Sequence, residues 1–351
     1  MMNSSLNHIE TMIGQMILVG LRGDSPEDAK IFFESLKGLP IGGVILYDQN
    51  VTMSPPSSHN IHSPEQVIAF NKALQSLSSV PLLIGVDQEG GQVNRLKESY
   101  GFPPSKSWAE LGQINDIEET QSHSNNMAST FSDHGFNLNF APVLDLSVNP
   151  DSFIAKKERC FSNNPVSVST HAELFILSHL AQNVVPVCKH FPGQGSAGGD
   201  THEGIVDVTK TWSEIELKPY QTLMDQDYIP AIMTSHLFHK GLDPELPATL
   251  SSKILTDLLR NKMGFEGVII SDDPQMGALA NHYDLKTIIR LMIHASVDIF
   301  CFGNNLFYEP IIVQKVHSII VELLDEGLIT ITQIEQSFNR TMQLKKSIGL
   351  I

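Results

Sequence analysis

Five short apolar runs end in groups able to do chemistry. They end in Asp87-Gln88-Glu89-Gly90-Gly91, at Asp145, in Lys189-His190, in Ser235-His236 and in Ser271-Asp272-Asp273. Carboxylates and histidines are the side chains that most often move protons or attack an electrophile near neutral pH. Such groups at the ends of apolar strands are costly unless paired or used. Five of them point to one shared site. Taken singly, several have a structural reading. Asp145 reads as a loop cap or internal partner, and Glu89 as a partner for Arg95 or a backbone amide. His236 and His239 form an H-x-x-H pair. Without a third ligand nearby, a hydrogen-bonded rim histidine is expected rather than a metal site. Cys160 and Cys188 flank these groups and are expected to be buried.

The elements that must position these groups are legible from hydrophobic pattern. Eight runs are nearly continuous in Val, Ile, Leu or Phe: 16–20, 43–47, 82–87, 138–145, 184–190, 231–236, 267–272 and 298–303. Continuous rather than alternating hydrophobicity predicts strands buried on both faces of a parallel sheet. Helical patterns lie between them. Ser63-Pro64-Glu65-Gln66 predicts a helix start, followed by Val67, Phe70, Leu74 and Leu77 at helical spacing. Further helices are predicted over 118–133, 165–182, 212–225, 251–263, 285–295 and 310–324. A last one over 332–347 has Thr332 and Glu335 at capping-box spacing and is placed on the barrel exterior. Segments 48–62 and 191–207 read as long loops, the first mobile, the second glycine-rich.

Eight alternating units predict the α/β class, a (β/α)8 TIM barrel in a single domain over residues 1–351. A doubly wound open sheet is the competitor, but no G-x-G-x-x-G follows the first strand. In such barrels the chemistry sits at the C-terminal strand ends, where the five polar runs fall.

Composition narrows the classes. The chain of 351 residues is 41% hydrophobic and 18% charged, which is a globular balance. Its formal charge of −16 disfavours nucleic acid and anionic membranes as partners. Three widely spaced cysteines make neither a disulfide framework nor a zinc cluster. No secretory leader and no spanning segment is read, so a cytoplasmic monomer or weak oligomer is expected. No cofactor is called for.

Lys189-His190-Phe191-Pro192-Gly193, with Asp87-Gln88-Glu89-Gly90-Gly91-Gln92-Val93-Asn94-Arg95 and Ile270-Ser271-Asp272-Asp273, resembles glycoside hydrolase family 3. The likeness spans nearly the whole chain and is greatest to single-domain β-N-acetylglucosaminidases of bacterial peptidoglycan recycling. The resemblance implies a carbohydrate substrate and a retaining mechanism, with Asp272 as nucleophile and Asp200 and His202 as the acid/base dyad. It also implies that Asp87, Arg95, Arg159, Lys189 and His190 hold the terminal sugar, with Met233 and His236 as sixth-strand contacts. Tyr47 and Phe191 then read as a sugar platform or as core. Lys189, Arg159 and Arg95 form a local cationic group that could also attract an anionic leaving group, unless internal salt bridges neutralise it.

The chain departs from the family pattern after Gly193. Gln194 stands where the family usually has a second histidine, Ser196-Ala197 where it has Asp-Thr, and Thr201 where it has Ser. Spacing to the dyad is unchanged. Four glycines between 193 and 199 suggest a loop able to swing inward on substrate. A phosphorylase, a non-catalytic sugar-binding barrel and a metal-dependent hydrolase are the competing readings. A histidine acid/base avoids repelling phosphate, as a carboxylate would not.

Overall fold

The computed structural model describes residues 2–201 and 203–351, with side chains from residue 8 onward. The eight expected runs all contain barrel strands. They are β1 (Ile17–Gly20), β2 (Gly43–Leu46), β3 (Leu83–Val86), β4 (Leu138–Asn139), β5 (Val185–Phe191), β6 (Ala231–Thr234), β7 (Val268–Ile270) and β8 (Phe300–Phe302). All are parallel. β1 lies between β2 and β8, and pairing then runs in chain order from β2 to β7. A parallel bridge between Ile270 and Ile299 closes the ring.

Both strand faces are covered, which is why the runs do not alternate. Leu18, Ile45, Leu83, Val185, Ala231 and Val268 fill the interior. Val19, Val44, Ile84 and Ile232 face the surrounding helices. The 138–145 run is a strand only over β4, because Pro142 has no N–H to offer a ladder. The chain rejoins β5 through a Val143–Lys189 bridge, which carries Asp145 to the rim.

Helix Pro64–Leu77 starts as its sequence predicts, with the Ser63 hydroxyl accepting from the Gln66 amide at 3.2 Å. Three expectations need correction. The 212–225 stretch splits into a short 3-10 turn at Glu214–Leu217 and a helix at Lys218–Met224, since Pro219 fits only a helix start. The last helix spans Ile331–Ser347, and its capping box is Thr330 with Gln333, not Thr332 with Glu335. Glutamine closes such a box as well as glutamate does. The 48–62 segment, expected as a mobile loop, contains a two-stranded ribbon, Gln49–Asn50 with Ser57–Ser58. Asn60 pins its return by donating to the carbonyls of Leu21 and Gly23 at 3.1 and 2.6 Å.

The last helix does more than coat the exterior. Leu344 and Ile348 pack against the interior cluster and close the floor of the barrel. Between them Lys345 is fully buried and donates to Gln15 Oε1 at 2.5 Å and to the Pro81 carbonyl at 2.6 Å. Burial pushes this amine down from 10.5 to about 7. The unfolded chain therefore holds the proton between pH 7 and 10.5 while the folded chain sheds it. Stability is expected to rise with pH across that window, by a few kcal/mol in order of magnitude. Urea midpoints taken from pH 7 to 10 should climb in wild type and climb less in Lys345→Met.

Candidate active site

Of the rim groups, Asp87, Lys189, His190, Asp272 and Asp273 line one cleft of about 280 Å³ at the C-terminal ends of the strands. At its base is a chain of charges. Lys189 Nζ lies 2.7 Å from Asp87 Oδ1 and 2.8 Å from Glu89 Oε1. Arg159 forks onto Glu89, with Nε to Oε2 at 2.8 Å and Nη2 to Oε1 at 2.7 Å. Arg159 Nη2 is also 3.3 Å from His190 Nε2, and His190 Nδ1 is 2.7 Å from Asp145 Oδ2. Asp145 Oδ1 accepts from the amides of His190 and Gln194 at 3.2 and 2.8 Å.

Burial alone would raise the Glu89 carboxyl, but Arg159 and Lys189 hold it down to about 2. Burial alone would lower Lys189, but Asp87 and Glu89 raise it. The base is thus a set of matched ions. Glu89 serves Arg159 and Lys189, not Arg95 as its sequence position suggested. Arg95 instead faces Asp48 Oδ1 at 3.6 Å, and Lys97 pairs with the other oxygen of Asp48. The expected cationic group of Lys189, Arg159 and Arg95 is therefore matched by carboxylates.

Asp272 follows β7 and lines the same cleft. Its amide donates to Thr234 Oγ1 at 3.3 Å, and its Oδ1 accepts from the Asp273 amide at 2.8 Å. The first contact holds the backbone at a rigid strand end and the second orients the carboxylate. Across the cleft is the glycine-rich loop. Gly193 has φ +120°, and a Cβ there would sit 2.6 Å from Glu216 Cβ. Gln194 is buried at the cleft wall. Its Oε1 accepts weakly from Ser235 Oγ at 3.4 Å, so glutamine keeps a hydrogen-bonded place where the family has histidine. Further along, Thr201 lines the cleft and its carbonyl accepts from the Ala278 amide at 3.3 Å. Asp200 beside it is half-buried, and His202 lies outside the described residues.

Of the expected site residues, Asp87, Arg95, Arg159, Lys189, His190, Met233 and Asp272 line one cleft. His236 is not on its wall. It is fully buried, 2.7 Å from Thr249 Oγ1 and 2.9 Å from the Asp273 carbonyl, where it props the segment behind Asp272. His239 packs edge-on against Trp212 at 5.0 Å, away from His236's partners. Tyr47 lines the cleft, whereas Phe191 is core against Tyr220.

Residues 8–344 match the glycosyl hydrolase family 3 N-terminal domain. This chain belongs to glycosyl hydrolase family 3. It is a glycoside hydrolase. It is 33% identical over 272 residues to a β-hexosaminidase of Alkalilimnicola ehrlichii, covering 76% of this chain and 74% of that one. A β-hexosaminidase of Nitrosomonas eutropha is 33% identical over 275 residues, with the same coverage. A family 3 β-N-acetylglucosaminidase structure from Paenibacillus superposes with a TM-score of 0.87 at 26% identity, covering 97% of this chain. This chain spans 62% of that longer one. A β-N-acetylhexosaminidase structure from Beutenbergia cavernae shares the fold, with a TM-score of 0.84 at 24% identity, covering 96% of this chain and 98% of that one.

In and around the family 3 cleft are residues that sequence reasoning missed. Glu216 is buried below the glycine-rich loop, its Oε2 accepting from the Gly195 amide at 2.9 Å. Burial, aided by Asp145, raises its carboxyl to about 7. Its position in an amphipathic stretch carried no signal of this. Asp48 sat inside a presumed loop. Phe153 and Lys157 at the cleft mouth belong to a short helix, Phe153–Lys156 and its cap, too brief to show a period.

Proposed function

We propose that this protein is a retaining exo-β-N-acetylglucosaminidase that removes terminal β-linked N-acetylglucosamine. The observation carrying this reading is Asp272, anchored at a strand end and lining one cleft with Gln194 and Thr201 of the glycine-rich loop. The names of the β-hexosaminidase relatives support the sugar class. The reading takes residues 1–351 as one catalytic barrel domain. GlcNAc-1,6-anhydroMurNAc muropeptides are the proposed natural substrate, handled in the cytoplasm. Three free, buried cysteines suit a reducing compartment. Among the described residues no helix is long and apolar enough to cross a membrane.

In this mechanism a carboxylate oxygen of Asp272 attacks the anomeric carbon as the bond to the leaving oxygen breaks. His202 gives its proton to that oxygen, with Asp200 orienting the ring and stabilising the imidazolium. A covalent glycosyl-enzyme results. His202 then takes a proton from water, whose oxygen displaces Asp272 and restores the enzyme. Lys189, Arg159 and Arg95, as donor-only groups, hold sugar hydroxyls together with Asp87 and His190. Met233 offers the ring an apolar contact.

The test is hydrolysis of 4-nitrophenyl N-acetyl-β-glucosaminide beside the matching β-glucoside, with inorganic phosphate varied. Selective cleavage of the N-acetyl sugar, independent of phosphate, is expected. Sugar 1-phosphate released in proportion to phosphate would make the protein a phosphorylase. Inertness of folded wild type on both sugars would overturn the proposal.

A further inference from the structure

The cleft has two zones of different depth. Lys189 and His190 at the base are 2% and 5% exposed; the Lys189 charge is matched by Asp87 and Glu89, and His190 Nδ1 is held by Asp145. At the mouth stand Gln92, Val93, Phe153 and Lys157. Phe153 is half-buried and Lys157 is exposed. They are four residues apart across one helical turn, which sets both on one face. Lys157 Nζ lies 6.0 Å from the centroid of the Phe153 ring. Neighbouring Lys156 is engaged by Asp151 at 3.2 Å, and Arg95 faces Asp48. Lys157 has no carboxylate partner among the described residues. It is thus an unmatched cation at the mouth of the cleft, in a chain of formal charge −16.

We propose that Phe153 and Lys157 form a leaving-group subsite that selects an acidic aglycone: a ring lying against Phe153 and a carboxylate reaching Lys157. The inference rests on the exo-hydrolase reading above. A blind pocket that holds the terminal sugar leaves only its mouth for the rest of the substrate. Elsewhere the acidic surface repels an acidic leaving group, so a single unmatched ammonium there sets orientation as well as affinity. The earlier expectation gave this task to Lys189, Arg159 and Arg95, whose charges face carboxylates instead.

The test compares two fluorogenic N-acetyl-β-glucosaminides, one with a neutral 4-methylumbelliferyl leaving group and one with 3-carboxyumbelliferyl. The readout is the ratio of kcat/KM on the acidic substrate to that on the neutral one. Comparing ratios between proteins cancels the leaving groups' different intrinsic reactivity. Lys157→Met is expected to lower the ratio up to about fivefold, as for an exposed ion pair, and Lys157→Glu to lower it further. Raising ionic strength should shrink the wild-type ratio but leave that of Lys157→Met nearly flat. Phe153→Ala should raise KM for both substrates. A ratio unchanged in both Lys157 variants overturns the inference alone. Wild type that cleaves neither substrate overturns the proposed function and this inference with it.

Discussion

Asp272→Asn is expected to abolish turnover of 4-nitrophenyl N-acetyl-β-glucosaminide, with kcat falling by at least about 10³-fold. The amide has nearly the shape of the carboxylate and no nucleophilic charge. The contacts that orient Asp272, from the Asp273 amide and to Thr234, involve one side-chain oxygen and the backbone, so the variant keeps its geometry. Fold and sugar binding should therefore survive. The decisive comparison is kcat against the affinity for free N-acetylglucosamine, measured calorimetrically. Loss of kcat with binding kept within a few-fold identifies a group needed for the chemical step. Turnover within tenfold of wild type would remove Asp272 from the nucleophile's role.

Lys189→Met should cost about 3–5 kcal/mol of stability, the usual result of removing one partner from a buried ion pair. Lys189 bridges Asp87 and Glu89, and Glu89 is 1% exposed. Removing the ammonium leaves Glu89 with Arg159 alone and Asp87 without its buried partner. The pH response distinguishes this from a loss of packing. In wild type the Glu89 carboxyl is depressed from 4.5 to about 2. Its contribution is fully present above 4.5 and is lost as pH falls toward 2. Without Lys189 that depression is smaller, so less stability remains to be lost in acid. Urea unfolding at pH 7 and pH 3.5 should show a large gap between wild type and variant at pH 7 and a narrower one at pH 3.5. A gap of the same size at both pH values would mean that packing, not charge, is what Lys189 supplies.

The barrel was legible because its strands are covered on both faces, and a run such as Val268–Ile270 has no other use. The site was legible where a polar residue directly follows such a run, as Asp272 and Lys189-His190 do. It was less legible where pairing crosses the barrel. Nothing local says that Glu89 meets Arg159, seventy residues away, or that Asp48 meets Arg95. Glu216 shows the same limit from another side. An acid in an amphipathic stretch looks solvated, and only the fold reveals that the Gly195 amide needs it. His236 shows how a strand-end histidine is used: it is the hydrogen-bonded residue its pattern suggested, and its partners, Thr249 and the Asp273 carbonyl, could be named only from the fold.

The floor of the barrel bears on how the chain folds as it is made. Leu344 and Ile348 stop the lower end of a cylinder whose first strand is complete by Gly20 and whose last partner for it arrives only at Phe300. A ribosome-bound chain that has exposed seven strands still has an unpaired edge on β1 and an open lower end. Domains generally fold as units during synthesis. Here the barrel cannot seal until helix Ile331–Ser347 has emerged, so the nascent chain carries uncovered apolar surface until that point. Chaperone dependence should accordingly be greatest for the longest stalled intermediates that still lack that helix.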